Sequence, residues 1–188
     1  MSTCRPATRL VISSSLSFVL AASFLADSHH PIPKSASIVV VPYDEFLVPT
    51  GNVKVIFADG HSELWTHGGD CHAVKLSGSG SVGWIRMDKK SVDTHRMMLT
   101  GKDSLIVRTA NGELKEFPPF DENVGIMEWR FADDGRVIIV KSMGFQGPAS
   151  YAKYEVSTGR LLDSRGPSYT PYDSLPSWAK PLADPTYD

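Results

Sequence analysis

The side chains with the greatest chemical reach lie in one short stretch, His67-Gly68-Gly69-Asp70-Cys71-His72, with His61 one hairpin earlier. Thiolate and imidazole together suit zinc or copper, and the glycine pair between His67 and Cys71 gives the segment freedom to close on one ion. On that reading His67, Cys71 and His72 are metal ligands. The same residues have a packing reading. Cys71 serves as a small hydrophobe, His72 faces a core beside Val74, and Asp70 closes a turn.

Gly78-Ser79-Gly80-Ser81-Val82-Gly83 matches G-x-G-x-x-G, a phosphate-binding pattern. The dinucleotide form needs a helix after the glycines, whose N-terminus meets the pyrophosphate. Here Trp84-Ile85-Arg86-Met87 follows and alternates like a strand, so the glycines read as a hairpin turn. No G-x-S-x-G, H-E-x-x-H or C-x-x-C occurs, which removes the commonest signatures of serine hydrolases, zincins and thiol redox enzymes. Asp133-Asp134 is turn chemistry, and Asp121-Glu122 offers no separate acid and base. A formal net charge of −2 and a pI near 6.3 argue against nucleic acid as a partner.

The elements that must position these residues are β-hairpins. Met127, Trp129 and Phe131 alternate with Glu128 and Arg130, so the first set faces a core and the second faces away. Asp134-Gly135 turns the chain, and Val137 to Val140 returns it. The pattern occurs twice. Val74 corresponds to Trp129, Leu76 to Phe131, Lys75 to Arg130, Cys71 to Ile126, His72 to Met127, Gly80 to Gly135 and Val82 to Val137, all at one spacing. At a second, slightly shorter spacing Val55 corresponds to Val107, Asp59-Gly60 to Asn111-Gly112 and Trp65 to Phe117. Two hairpins in fixed order make one four-stranded unit. One unit runs from His72 to about Pro118 and another from Ile126 to about Ser164. Ile38–Val41, Phe46–Val48, Val53–Ala58 and Ser62–Trp65 supply a leading one.

Trp129-Arg130-Phe131-Ala132-Asp133-Asp134-Gly135-Arg136-Val137, followed by Tyr154-Glu155-Val156-Ser157-Thr158-Gly159-Arg160, resembles a blade of the TolB-like and WD40-like β-propellers. There strand a ends in a D-G turn and strand c in a T-G turn. The resemblance covers about residues 53 to 164 and implies an all-β fold of antiparallel, four-stranded, blade-like units, but no activity. Two and a half to three units fall short of the roughly four to eight blades that close a ring. An open or partial propeller-like stack, a ring shared between copies, or an unrelated antiparallel β-fold all satisfy that count.

At the start of the chain, Arg5 and Arg9 precede an uncharged apolar run from Leu10 to Ala26, the pattern of a signal peptide or an N-terminal membrane anchor. Residues 27–36, with His29-His30-Pro31-Ile32-Pro33, read as a linker, residues 37–164 as the β-repeat domain and residues 165–188 as a proline-rich tail. Cleavage would remove Cys4 and leave Cys71 without an internal disulfide partner. Gly144 to Pro148 reads as an exposed loop of the kind that carries binding residues; the tail is either docked on the sheets through Trp178 or undocked and disordered. The sequence thus predicts an exported binding or scaffolding module of the bacterial cell envelope. It meets a protein or small-molecule partner, touches the membrane only through its first residues and stays monomeric because the tail blunts an exposed sheet edge. The alternative is a small envelope hydrolase or metal-dependent enzyme built on the His67–His72 loop.

Overall fold

The computed structural model describes residues 31–41, 49–87, 92–93, 98–99, 103–119, 125–144, 147–167 and 169–183. The Leu10–Ala26 run, His29-His30, the Phe46–Val48 strand and Asp121-Glu122 lie outside them. The described chain is all-β and antiparallel, with no α-helix. One sheet of seven strands contains β1 (Pro33–Val40), β2 (Gly51–Phe57), β3 (Ser62–Leu64), β4 (Cys71–Leu76), β5 (Val82–Arg86), β8 (Ser104–Arg108) and β9 (Leu114–Phe117). Between β5 and β8 the chain forms a two-stranded ribbon of β6 (Val92–Asp93) and β7 (Met98–Leu99). A second sheet holds β10 (Gly125–Ala132), β11 (Val137–Met143), β12 (Ala149–Glu155) and β13 (Leu161–Arg165) in sequence order.

Each expected hairpin from Val53 onward is present, and each turn uses its glycine. Gly60, Gly80, Gly112, Gly135 and Gly159 all have positive φ, where a Cβ would clash with the backbone. The first strand differs from expectation. It begins at Pro33, inside the segment read as linker, and pairs along its length with β2.

The seven-stranded sheet is really two layers. β2 meets β4 only at Gly51 and Cys71, after which β3 takes the place beside β2. The strands then part, and β2 lies over the face of β5 and β8. Val53, Val55 and Phe57 from the first layer pack with Val82, Trp84 and Ile106 from the second. The opposite face of the second layer meets the second sheet. Ile85, Leu105 and Phe117 pack there against Trp129, Ile138 and Tyr154. Alternation on β5 and β8 is therefore between two cores, which explains why these strands are apolar on both sides.

A third core lies on the far side of the second sheet. The tail crosses it in two 3₁₀ turns, Tyr172–Ser174 and Lys180–Leu182. Leu175, Ala179 and Leu182 cover Val137, Ile139 and Tyr151. The tail thus covers a sheet face rather than an edge. Trp178 adds a link to the edge strand by donating Nε1–H to Asp163 Oδ2 at 2.9 Å.

Two details of the repeat need correction. Met127 is 49% exposed and does not share the core face of Trp129. The pairing of β10 with β11 shifts between Ile126 and Glu128, so Met127 sits on a bulge that turns it outward. The β4–β5 hairpin shifts at the corresponding place, between His72 and Lys75, where Ala73 has φ 50°. Past the turn, Val82 corresponds to Ile138 rather than Val137. Leu76 pairs with Val82, whereas its counterpart Phe131 pairs with Ile138, because the later turn holds one residue more. A one-residue slip exchanges the two faces of a strand. Val82 and Ile138 accordingly each point toward the preceding layer.

Candidate functional site

The histidine- and cysteine-bearing loop enters β4. Among the described residues no three histidine, cysteine, aspartate or glutamate side chains gather as a metal-holding group. His67 is exposed, Cys71 is buried, and His72 is half-buried. Cys71 and His72 are neighbours on one strand, so their side chains leave on opposite faces. Cys71 packs in the core shared by the first two layers, at 1% exposure. Its Sγ lies 3.5 Å from both Thr66 Oγ1 and Asp70 Oδ1. Burial pushes the thiol pKa up to about 11, further helped by the Asp70 carboxylate and opposed by the Thr66 hydrogen bond. Burial also lowers the pKa of His72 and keeps it neutral.

This burial gives a measurable result. A thiol held near 11 carries about 100-fold less thiolate than one at the ordinary value of 9.0. In a Cys4→Ser background, iodoacetamide at pH 8 should modify native Cys71 at least roughly 100-fold more slowly than the urea-unfolded chain. Similar rates in both states would place the sulfur at the surface. The sign of the linkage is set by the same shift. The unfolded thiol ionises first, so this group's stabilisation is complete below pH 9 and is lost as pH rises toward 11.

His61 belongs to a different place, the β2–β3 turn. Its ring stacks on Phe57 at 4.3 Å, with Nδ1 2.6 Å from Asp59 Oδ1 and Nε2 3.5 Å from Glu63 Oε1. The hydrogen bond to Asp59 raises the imidazole pKa and lowers that of the carboxylate. This exposed trio fastens a turn. Gly78 to Gly83 likewise forms a turn and strand, and Gly135 packs against Ser77 and Ser79 of that turn.

The structure brings together a different set of side chains, on the outer face of the second sheet. A cleft of about 670 Å³ opens there between the sheet and the tail. Pockets that hold small organic ligands run from roughly 300 to 1,000 Å³. Lys141 and Met143 of β11, Ala149 and Tyr151 of β12, and Arg165 at the end of β13 form one side. Tyr169, Thr170, Tyr172 and Leu175 of the tail form the other. Pairing fixes the order across the sheet: Glu128 opposes Lys141, Lys141 opposes Tyr151, and Tyr151 opposes Arg165. Directly opposed residues share a face, so two cations flank a tyrosine along one row.

Tyr151 is 6% exposed, and burial, followed by the Glu128 charge, raises the pKa of its phenol. It is therefore a neutral donor and acceptor at physiological pH. Tyr169 is 85% exposed at the rim. Tyr172 is held by Lys180, whose Nζ lies 5.1 Å from the ring centroid. The sequence pointed to the 144–148 loop, of which Gly147 and Pro148 line the cleft and residues 145–146 lie outside the described residues, and to Trp178, but to none of this row. Its signal was the tyrosine content of the tail beside a β11 strand that carries a lysine on its outward face.

Comparison of the chain with protein-family models, with curated proteins and with solved structures gives no match.

Proposed function

We propose that the protein is an exported binding module of the bacterial cell envelope, and that its ligand seat is the cleft between the outer sheet face and the tail. The observation that carries this reading is the cleft itself. Cores fill their gaps to near-crystalline density, yet here tyrosines, a methionine and two cations surround open space of about 670 Å³. A tail needed only as a cover has no reason to stand off from the sheet at this end while burying Leu175 and Leu182. The arrangement has aromatic platforms and a few polar groups, as small-molecule sites do. Among the described residues its lining holds no nucleophile paired with a base, which favours binding over catalysis.

Amide chemical-shift mapping against a library of small aromatic and aliphatic compounds tests the site. Hits should cluster on Lys141, Tyr151, Arg165 and the tail tyrosines. Hits scattered over the surface, or centred on His67 and His72, would move the function elsewhere. Elemental analysis of the same sample guards the alternative, because a stoichiometric metal would favour an enzyme built on the His67–His72 loop.

Export rests on the two arginines before the uncharged Leu10–Ala26 run. Cells expressing the full chain with a C-terminal tag should carry it in the periplasmic or membrane fraction. An entirely cytosolic tag would rule the envelope out.

A further inference from the structure

The charges around the cleft name the class of ligand. Its lining contains Lys141 and Arg165 and no acidic side chain among the described residues. The chain as a whole carries a formal net charge of −2, so this concentration of positive charge runs against the average of the molecule. No ion pair or hydrogen bond joins either head group to another side chain among the described residues. Glu128 opposes Lys141 from β10, yet it does not line the cleft. Lys141 and Arg165 stand two strand spacings apart, about 10 Å between backbones. Tyr151 stands between them in the strand register.

We propose that the ligand is a small organic anion whose acidic group is held between Lys141 and Arg165 over Tyr151, while its apolar ring system rests on Met143, Leu175 and the tail tyrosines. This inference rests on the cleft being the binding seat. An arginine guanidinium offers two parallel donors to a carboxylate, sulfonate or phosphate, and the lysine ammonium adds a point charge. Tyr151 contributes a neutral phenol that can donate a hydrogen bond. The apolar wall supplies contact area that a free inorganic anion cannot use.

Two dyes that differ by one group make the test. Anilinonaphthalene sulfonate and N-phenylnaphthylamine share the same ring system, and only the first carries an anion. On the full-length protein the sulfonate should bind roughly tenfold more tightly, a preference that weakens with salt. In the Lys141→Gln, Arg165→Gln double variant that preference should vanish, while affinity for the neutral dye stays within about twofold. Lys141→Arg should keep it. Ala149→Trp, which fills the cleft, should weaken both dyes, with thermal melts confirming that each variant is folded. Equal binding of the two dyes to the parent, or a preference that survives in the double variant, overturns the anion proposal. If Ala149→Trp still abolishes binding in those cases, the cleft stands as the seat. If Ala149→Trp leaves both dyes bound, the seat itself is elsewhere and both readings fall.

Discussion

Replacing Trp129 with alanine should lower the free energy of unfolding by about 3–5 kcal/mol, the range for a buried aromatic truncated in a core. Trp129 is fully buried between the second and third layers. Its indole lies against Gly83, where a Cβ would come within 2.5 Å of Cη2, so the missing side chain of one sheet makes room for the largest of the other. The ring also meets Phe131 edge-on at 5.1 Å, a geometry that adds to simple burial. Its Nε1–H donates to the carbonyl of Ala73 at 2.9 Å, and Lys75 Nζ reaches the Trp129 carbonyl at 2.5 Å. Truncation therefore opens a cavity and orphans a carbonyl at the same seam. Glu128→Ala and Arg130→Ala, on the outward face of the same strand, should each change stability by less than about 0.5 kcal/mol. Urea unfolding of the three variants decides. A loss at Glu128 comparable to that at Trp129 would mean that the faces of β10 are misassigned.

A chain ending at Arg165 should lose on the order of 3 kcal/mol and begin to self-associate. Leu175, Ala179 and Leu182 leave with the tail and uncover Val137, Ile139 and Tyr151. Each leucine contributes roughly 1.5–3 kcal/mol by burial, offset in part by the freedom the tail regains. The uncovered strip is apolar and continuous, which is the kind of surface that recruits a second copy. The full chain should run as a monomer and the shortened chain as a dimer or larger species in light scattering. If the shortened chain remains monomeric and equally stable, the third core has no role in the fold.

The hairpins were legible because their causes are local. A glycine that must take positive φ and an alternating strand on either side are written within about ten residues. The layers behind them were legible through the repeat, since Val74 and Trp129 do point toward the preceding layer in their respective units. Two errors came from the same limit. The bulge at Met127 and the extra residue in the Asp133–Gly135 turn leave the local pattern looking regular, and only cross-strand pairing reveals them. The pairing of β1 with β2 spans the 42–48 segment, so a nearest-neighbour hairpin of Ile38–Val41 with Phe46–Val48 was the more economical expectation.

The cleft was hidden for a different reason. Lys141 and Arg165 are far apart in sequence and each reads as an ordinary solvated charge. Tyr169 and Tyr172 read as part of a proline-rich end. Nothing in the spacing of these residues signals a site, because the sheet register alone brings the first pair into one row and the tail alone adds the second. The histidine and cysteine loop showed the opposite problem. Its residue types suit a metal, but strand alternation and burial send Cys71 into a core and leave His67 in solvent.

The order of the layers along the chain sets a timetable. A chain delivered from its N-terminus presents the first two layers before the third exists. Until residues beyond Arg165 emerge, the outer sheet has no lid and the row of Lys141, Tyr151 and Arg165 faces open water. The last described residues to arrive both seal the final core and create the wall of the cleft. If the cleft is the seat, ligand capture waits for the final moment of folding, and a nascent or stalled chain holds Lys141 and Arg165 on an open plain with no pocket around them.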